Sequence, residues 1–130
     1  IVEPAAAELA AARATPEEIE SLLGWYRQIE VNTRNDKARL EADANFHATI
    51  FAACHNVFLS QMNTTVGMAL RATQQISVHL SDVMEESVRA HKDVATAIAR
   101  RDGKSARAAM ERLVKQATGY IHRALHSEAR

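Results

Sequence analysis

The sequence predicts an all-α fold, an antiparallel bundle of about six helices, and three observations carry that expectation. Apolar residues recur at three- and four-residue spacing almost from end to end, which is the period of one helix face and not of a strand. Only 4 Gly and 2 Pro occur in 130 residues, so few positions interrupt a helix. The breaks are short, and short connections make consecutive helices antiparallel neighbours.

The elements follow from the punctuation. A first, Ala-rich helix is expected from about Glu3 to Arg13. The second opens at Thr15-Pro16-Glu17-Glu18, where Thr15 can cap, Pro16 suits the first helical position and Glu18 can close a capping box. The polar stretch Asn32 to Asp36 ends that pattern, and a third helix runs to about Cys54. His55-Asn56 is the next turn, with Asn56 capping a long fourth helix from about Val57 to Leu80. Ser81-Asp82 offers caps for a fifth helix reaching about Arg100, and Arg101-Asp102-Gly103 turns the chain into a sixth that ends near His126.

Composition bounds the function. The length suits one domain with one core, residues 1–130 throughout. Lys plus Arg and Asp plus Glu both number 16, so the formal charge is zero and no basic excess marks a nucleic-acid surface. The single cysteine, Cys54, excludes an internal disulfide and a Cys-rich zinc module. No apolar run reaches the roughly 20 residues of a membrane span, and no signal segment opens the chain. The expectation is a soluble cytoplasmic protein without membrane contact. The start at Ile1, without Met, predicts that a segment precedes it.

Chemistry enters where polar residues interrupt apolar stripes. The inward row of the third helix is expected to be Leu40, Asp43, His47, Ile50 and Cys54, and that of the fifth Met84, Val88, His91, Ala95 and Ile98. A carboxylate and two imidazoles inside a core cost several kcal/mol unless paired, hydrogen-bonded or bound to metal. With about 1.5 Å of rise per residue and antiparallel packing, Asp43, His47 and His91 fall within roughly two helical turns of one level. They form a candidate N/O site for one divalent metal, zinc, nickel or manganese. Buried Asp–His pairs are also often purely structural, and the spacing alone leaves both readings open. His79 lies roughly 10 Å off that level.

These residues also carry a resemblance. Val2-Glu3-Pro4-Ala5-Ala6, the run into Ala14-Thr15-Pro16-Glu17-Glu18, the segment Asp43-Ala44-Asn45-Phe46-His47, Ala52-Ala53-Cys54-His55-Asn56, His91 with Ala97-Ile98, and Arg101-Asp102 with Ala106 and Ala109-Met110 stand in characteristic order. In this the chain resembles, over its whole length, the C-terminal effector-binding (FCD) domain of the FadR subgroup of GntR-type transcriptional regulators. The resemblance implies that Asp43, His47 and His91 match metal ligands. It also implies a fourth ligand from the last helix, three residues after Met110. That position is Leu113, in the apolar row Ala106, Met110, Leu113, Ala117 and Ala124, so only three ligands are expected here. Either water or an effector carboxylate completes the site, or the pocket is metal-free and these groups hydrogen-bond the ligand. Ala90 stands where an acid often precedes the histidine.

The effector implied is a small carboxylate metabolite, sensed by a homodimer that reaches DNA only through an N-terminal winged helix-turn-helix domain outside this sequence. The effector contacts expected are Asp43, His47 and His91, with Arg71 and Gln75 as further candidates on the long helix. A guanidinium suits a carboxylate. Yet a 100° step per residue sets Arg71 nearly opposite the stripe Met62, Val66, Ala69, Thr73 and Ile76 and favours the surface. Cys54 is expected as a small buried group, Trp25 and Tyr26 as core or interface, and His122 with His126 as a solvated pair. The chain is not expected to be an enzyme: the Glu-x-x-His repeats of di-iron bundles are absent. A helical-bundle metalloenzyme and a ligand-free interaction module are the alternatives.

Overall fold

The computed structural model describes the backbone of residues 1–77 and 81–128, with the side chains of these except at 70, 73–77, 81–82 and 127–128. Among the described residues the elements are α1 (Val2–Arg13), α2 (Pro16–Val31), α3 (Asp36–Ala53), α4 (Val57–Gln61), α5 (Asn63–Ser77), α6 (Ser81–Ala99) and α7 (Gly103–Glu128), with no strand. The all-helical expectation therefore holds, with one more helix than expected.

The extra boundary splits the expected long helix. Met62 donates its amide to Leu59 at 3.0 Å, a tightened i→i−3 bond, before Asn63 begins α5. The surrounding Ser60, Asn63, Thr64 and Thr65 are weak helix formers. The stripe expected on this helix is not seen where it is described. Met62 and Ala69 are exposed and Val66 is half-buried, while Thr73 and Ile76 lie outside the described side chains.

Caps formed at Thr15 and Asn56, where the sequence placed them, while the side chains of Ser81 and Asp82, expected to cap a later helix, lie outside the described residues. Thr15 accepts from the Glu18 amide at 3.2 Å and the Glu18 carboxylate accepts from the Thr15 amide at 2.8 Å. Asn56 accepts from the amides of Phe58 and Leu59. Asp102 accepts from the Ser105 amide at 3.1 Å to start α7. The turns before α4 and α7 reverse through left-handed residues, His55 (φ 48°) and Arg101 (φ 57°). Arg101 then donates to the carbonyls of Ala11 and Ala14, closing the end of α1.

Packing centres on α1. It lies against α3, α6 and α7, which explains its alanines: Ala6, Ala7, Ala10 and Ala11 are wholly buried, and small side chains let backbones approach from several sides. The first residue of α7 shows how close this is, because a Cβ on Gly103 would stand 3.2 Å from Glu8 Cγ. The core adds Leu22, Ile29, Phe46, Ile50, Phe51, Ile98 and Met110, each contributing roughly 1.5–3 kcal/mol by burial. Leu113 joins this cluster, as its apolar row predicts. Cys54 is buried, its thiol donating to the Phe51 carbonyl.

On α3 the buried face is turned slightly from the expected row. His47, Ile50 and Cys54 are inside, but Leu40 is only half-buried, and Ala42, Phe46 and Arg39 are buried instead. The expected row on α6 ends as predicted on His91, Ala95 and Ile98, all buried.

Candidate metal centre

Two helices bring three ligand atoms together. Asp43 and His47 lie one turn apart on α3, and His91 faces them from α6. His47 Nε2 is 3.1 Å and His91 Nε2 is 3.0 Å from the same Asp43 Oδ1. One ligand atom from each of the three residues lies within 4.8 Å of the others, and both histidines are buried. The ring of Phe46, wholly buried, stands edge-on to both imidazoles, with centroids 5.6 Å from His47 and 5.0 Å from His91. It walls the cluster off on that side.

The other two ring nitrogens are held from behind. His91 Nδ1 donates to the Ser87 carbonyl at 2.7 Å, one turn back on α6. His47 Nδ1 is 2.5 Å from Glu3 Oε1 on α1. That contact is within ion-pair distance but lacks hydrogen-bond geometry, so both atoms are buried without a directed partner. Both imidazoles thus aim Nε2 at the centre and Nδ1 at an outer acceptor, the arrangement of metal-ligating histidines.

The charges follow from this geometry. Burial would raise the Asp43 pKa, but His91 and His47 outweigh it and hold the carboxyl well below its usual range. Burial would strip the proton from His47, but the carboxylates of Glu3 and Asp43 overcome it and push the pKa up to about 10. The cluster is therefore built around positive charge between carboxylates. An N/O donor set around such a point suits a divalent cation. Asp43, His47 and His91 would hold it, leaving positions open for a further ligand.

Three residues near this centre escaped the sequence reading. Glu3 was part of a motif but was assigned no role, since its helix is apolar on several sides and gives no inward row. Arg39, one turn before Asp43, is 8% exposed, with its guanidinium 3.3 Å from the Asp36 carboxylate and 3.0 Å from the Met84 sulfur. Its spacing of four from Asp43 was the available signal. Gln116 Oε1 on α7 is buried without a partner. The Tyr120–Glu86 hydrogen bond of 2.6 Å sets α7 antiparallel to α6. Counting back one turn places Gln116 roughly level with Ala90 of α6.

Of the other candidates, Arg71 is exposed, so it stands outside the buried cluster, as the surface reading of its helix position expected. The side chain of Gln75 and the whole of His79 lie outside the described residues. Trp25 and Tyr26 pack half-buried against the core. Burial and then Glu30 push the Tyr26 pKa up to about 12. His122 and His126 are exposed.

The FCD domain family matches residues 1–116, which include every residue of this cluster. The chain belongs to the FCD domain family. This FCD domain is also 27% identical over 119 residues to the galactonate operon transcriptional repressor of Escherichia coli K12, covering 91% of the chain and 52% of that protein. Among solved structures, Streptococcus agalactiae GntR superposes with a TM-score of 0.73 at 23% identity, over 88% of this chain and 51% of that one. E. coli McbR/YncC gives 0.81 at 13% identity, over 94% and 63%. Both share the fold. The chain spans about half the length of the curated relative it matches. No helix among the described residues is long and apolar enough to cross a membrane.

Proposed function

We propose that this chain is the effector-sensing domain of a GntR-type transcriptional regulator, and that its effector is a small hydroxy acid held at a divalent cation on Asp43, His47 and His91. The observation that carries the proposal is the convergence of both Nε2 atoms on Asp43 Oδ1 while both Nδ1 atoms are occupied from behind. The same convergence also lets one carboxylate oxygen accept from two imidazoles without metal, so the metal content itself is the deciding measurement.

The cation would supply an electrophilic anchor for a carboxylate in its open positions. The surrounding residues supply the rest. Phe46 excludes water, Glu3 and Ser87 orient the rings, and Arg39 is the buried cation nearest along α3. The unpartnered Gln116 oxygen favours an effector that carries a hydroxyl, because a buried acceptor without a donor costs about 1–3 kcal/mol. The relative that bears a galactonate operon's name supports this ligand class.

In the full regulator a DNA-binding domain ahead of Ile1 would read the operator, and the effector would act by binding one arrangement of the bundle better than another. We assign self-association to the same domain. Val57, Phe58 and Met68 are 65%, 82% and 67% exposed, large apolar side chains that a single copy leaves uncovered.

Elemental analysis of the purified domain, beside His47→Ala and His91→Ala, tests the centre. About one metal per chain in the parent, lost in both variants, is the expected result. A parent that stays metal-free and takes up no added zinc, nickel or manganese would overturn it. Melting temperatures with sugar acids, with and without metal, then test the ligand class.

A further inference from the structure

Glu3 stands apart from the rest of its helix. The start of α1 is weakly anchored: the N-cap Ile1 makes no side-chain cap and is fully exposed, and Pro4 has no amide to donate. The Glu3 side chain nonetheless turns inward until the residue is only 7% exposed, and its Oε1 meets Nδ1 of His47 at 2.5 Å. Neither atom finds a directed hydrogen bond elsewhere. An exposed first-turn glutamate would need none of this, since it would favour the helix N-terminus from solvent.

The contact gains its meaning from the other side of the ring. When a cation takes Nε2 of His47, the imidazole keeps one proton, on Nδ1, and among the described residues Glu3 is the acceptor placed to receive it. A carboxylate behind a metal-bound histidine fixes the ring plane and raises the basicity of the ligating nitrogen. A proton held there would turn the present ion-pair contact into a directed hydrogen bond that ties down the start of α1. The carbonyls of Val2 and Glu3 accept the amides of Ala6 and Ala7 in the first turn, so a fixed Glu3 side chain holds that turn closed.

We propose that Glu3 is the positioning residue of the metal centre and that cation occupancy at His47 is transmitted through it to the first turn of α1. This rests on the metal reading above. In the regulator proposed there, the chain continues from Ile1 toward the DNA-binding domain, so Glu3 gives the site its shortest covalent route to that domain.

The test uses zinc alone on residues 1–130, with the parent, Glu3→Gln and Glu3→Asp. In competition with a chromophoric chelator, Glu3→Gln is expected to bind zinc about 10- to 100-fold more weakly. Glu3→Asp, which keeps the charge, should recover part of the loss. Hydrogen exchange at the Ala6 and Ala7 amides should slow severalfold when zinc binds the parent, and stay unchanged in zinc-saturated Glu3→Gln. Should Glu3→Gln fail to fold, Glu3→Asp and the exchange of the parent carry the test. A merely structural carboxylate would lower the melting temperature and leave zinc affinity untouched. That result, or exchange at Ala6 and Ala7 that ignores zinc in the parent, overturns the inference alone. A parent that binds no zinc overturns the metal reading itself and the inference with it.

Discussion

If the proposed site takes zinc, the metal must displace a proton from His47, whose surroundings set the cost. Without metal, both His47 nitrogens face carboxylates and the ring's pKa stands at about 10. A metal takes the lone pair of Nε2, so only the neutral ring can bind it. At pH 7, well below that pKa, most rings are protonated, and apparent zinc affinity falls with the neutral fraction. Zinc affinity should therefore rise about tenfold per pH unit between roughly pH 7 and 9, with one proton released per chain by His47. Titration calorimetry in buffers of different ionisation heat counts the protons directly, and chelator competition gives the slope. The sign for stability runs the same way. A raised folded pKa stabilises fully below the unfolded value of 6.5, and that contribution is lost as pH rises toward 10. The metal-free domain should melt progressively lower across that window. Zinc affinity that ignores pH, with no proton released, would refute the charge assignment.

Three further outcomes follow from the packing. Phe46→Ala removes a wholly buried ring that stands edge-on beside two imidazoles and should cost about 3–5 kcal/mol in urea unfolding; a loss under about 1 kcal/mol would mean the site collapses around the change. Gln116→Met replaces a side chain whose amide oxygen is buried without a partner by an apolar chain of similar length. It should raise ligand-free stability by about 1 kcal/mol while reducing the melting shift given by any hydroxy acid the parent binds. Thr15→Ala breaks the capping box and should cost about 1 kcal/mol. Burial works against ionising Glu18, but the Thr15 amide and His55 outweigh it and lower its pKa, so part of this cap's contribution, present above pH 4.5, should fade as pH falls below that. A parallel acid transition in the parent and Glu18→Gln would contradict this.

Much of the fold was legible because helices announce their ends locally. Thr15, Asn56 and Asp102 act on amides two or three residues away, and nothing distant can change what they cap. The long helix was misjudged for the complementary reason: its apolar period continues through Met62, and only the local tightening there divides it. The three metal candidates were legible because polar residues inside an apolar period demand partners, and their helix register brings them level. The family match over residues 1–116 agrees with the residues that carried the resemblance.

What the sequence determined by itself was every element but the split of the long helix, and the row on which Asp43 and His47 share one face, since both depend on spacing along a single helix. The tertiary structure alone decided which atoms meet. Whether His91 turns Nε2 or Nδ1 toward Asp43 depends on the Ser87 carbonyl behind it, and whether Glu3 points to solvent or to His47 depends on where α1 crosses α3. The lone oxygen of Gln116 and the burial of Arg39 belong to the same class. Periodicity specifies the direction in which a side chain leaves its own helix. It carries no information about the side chain that arrives from the next one.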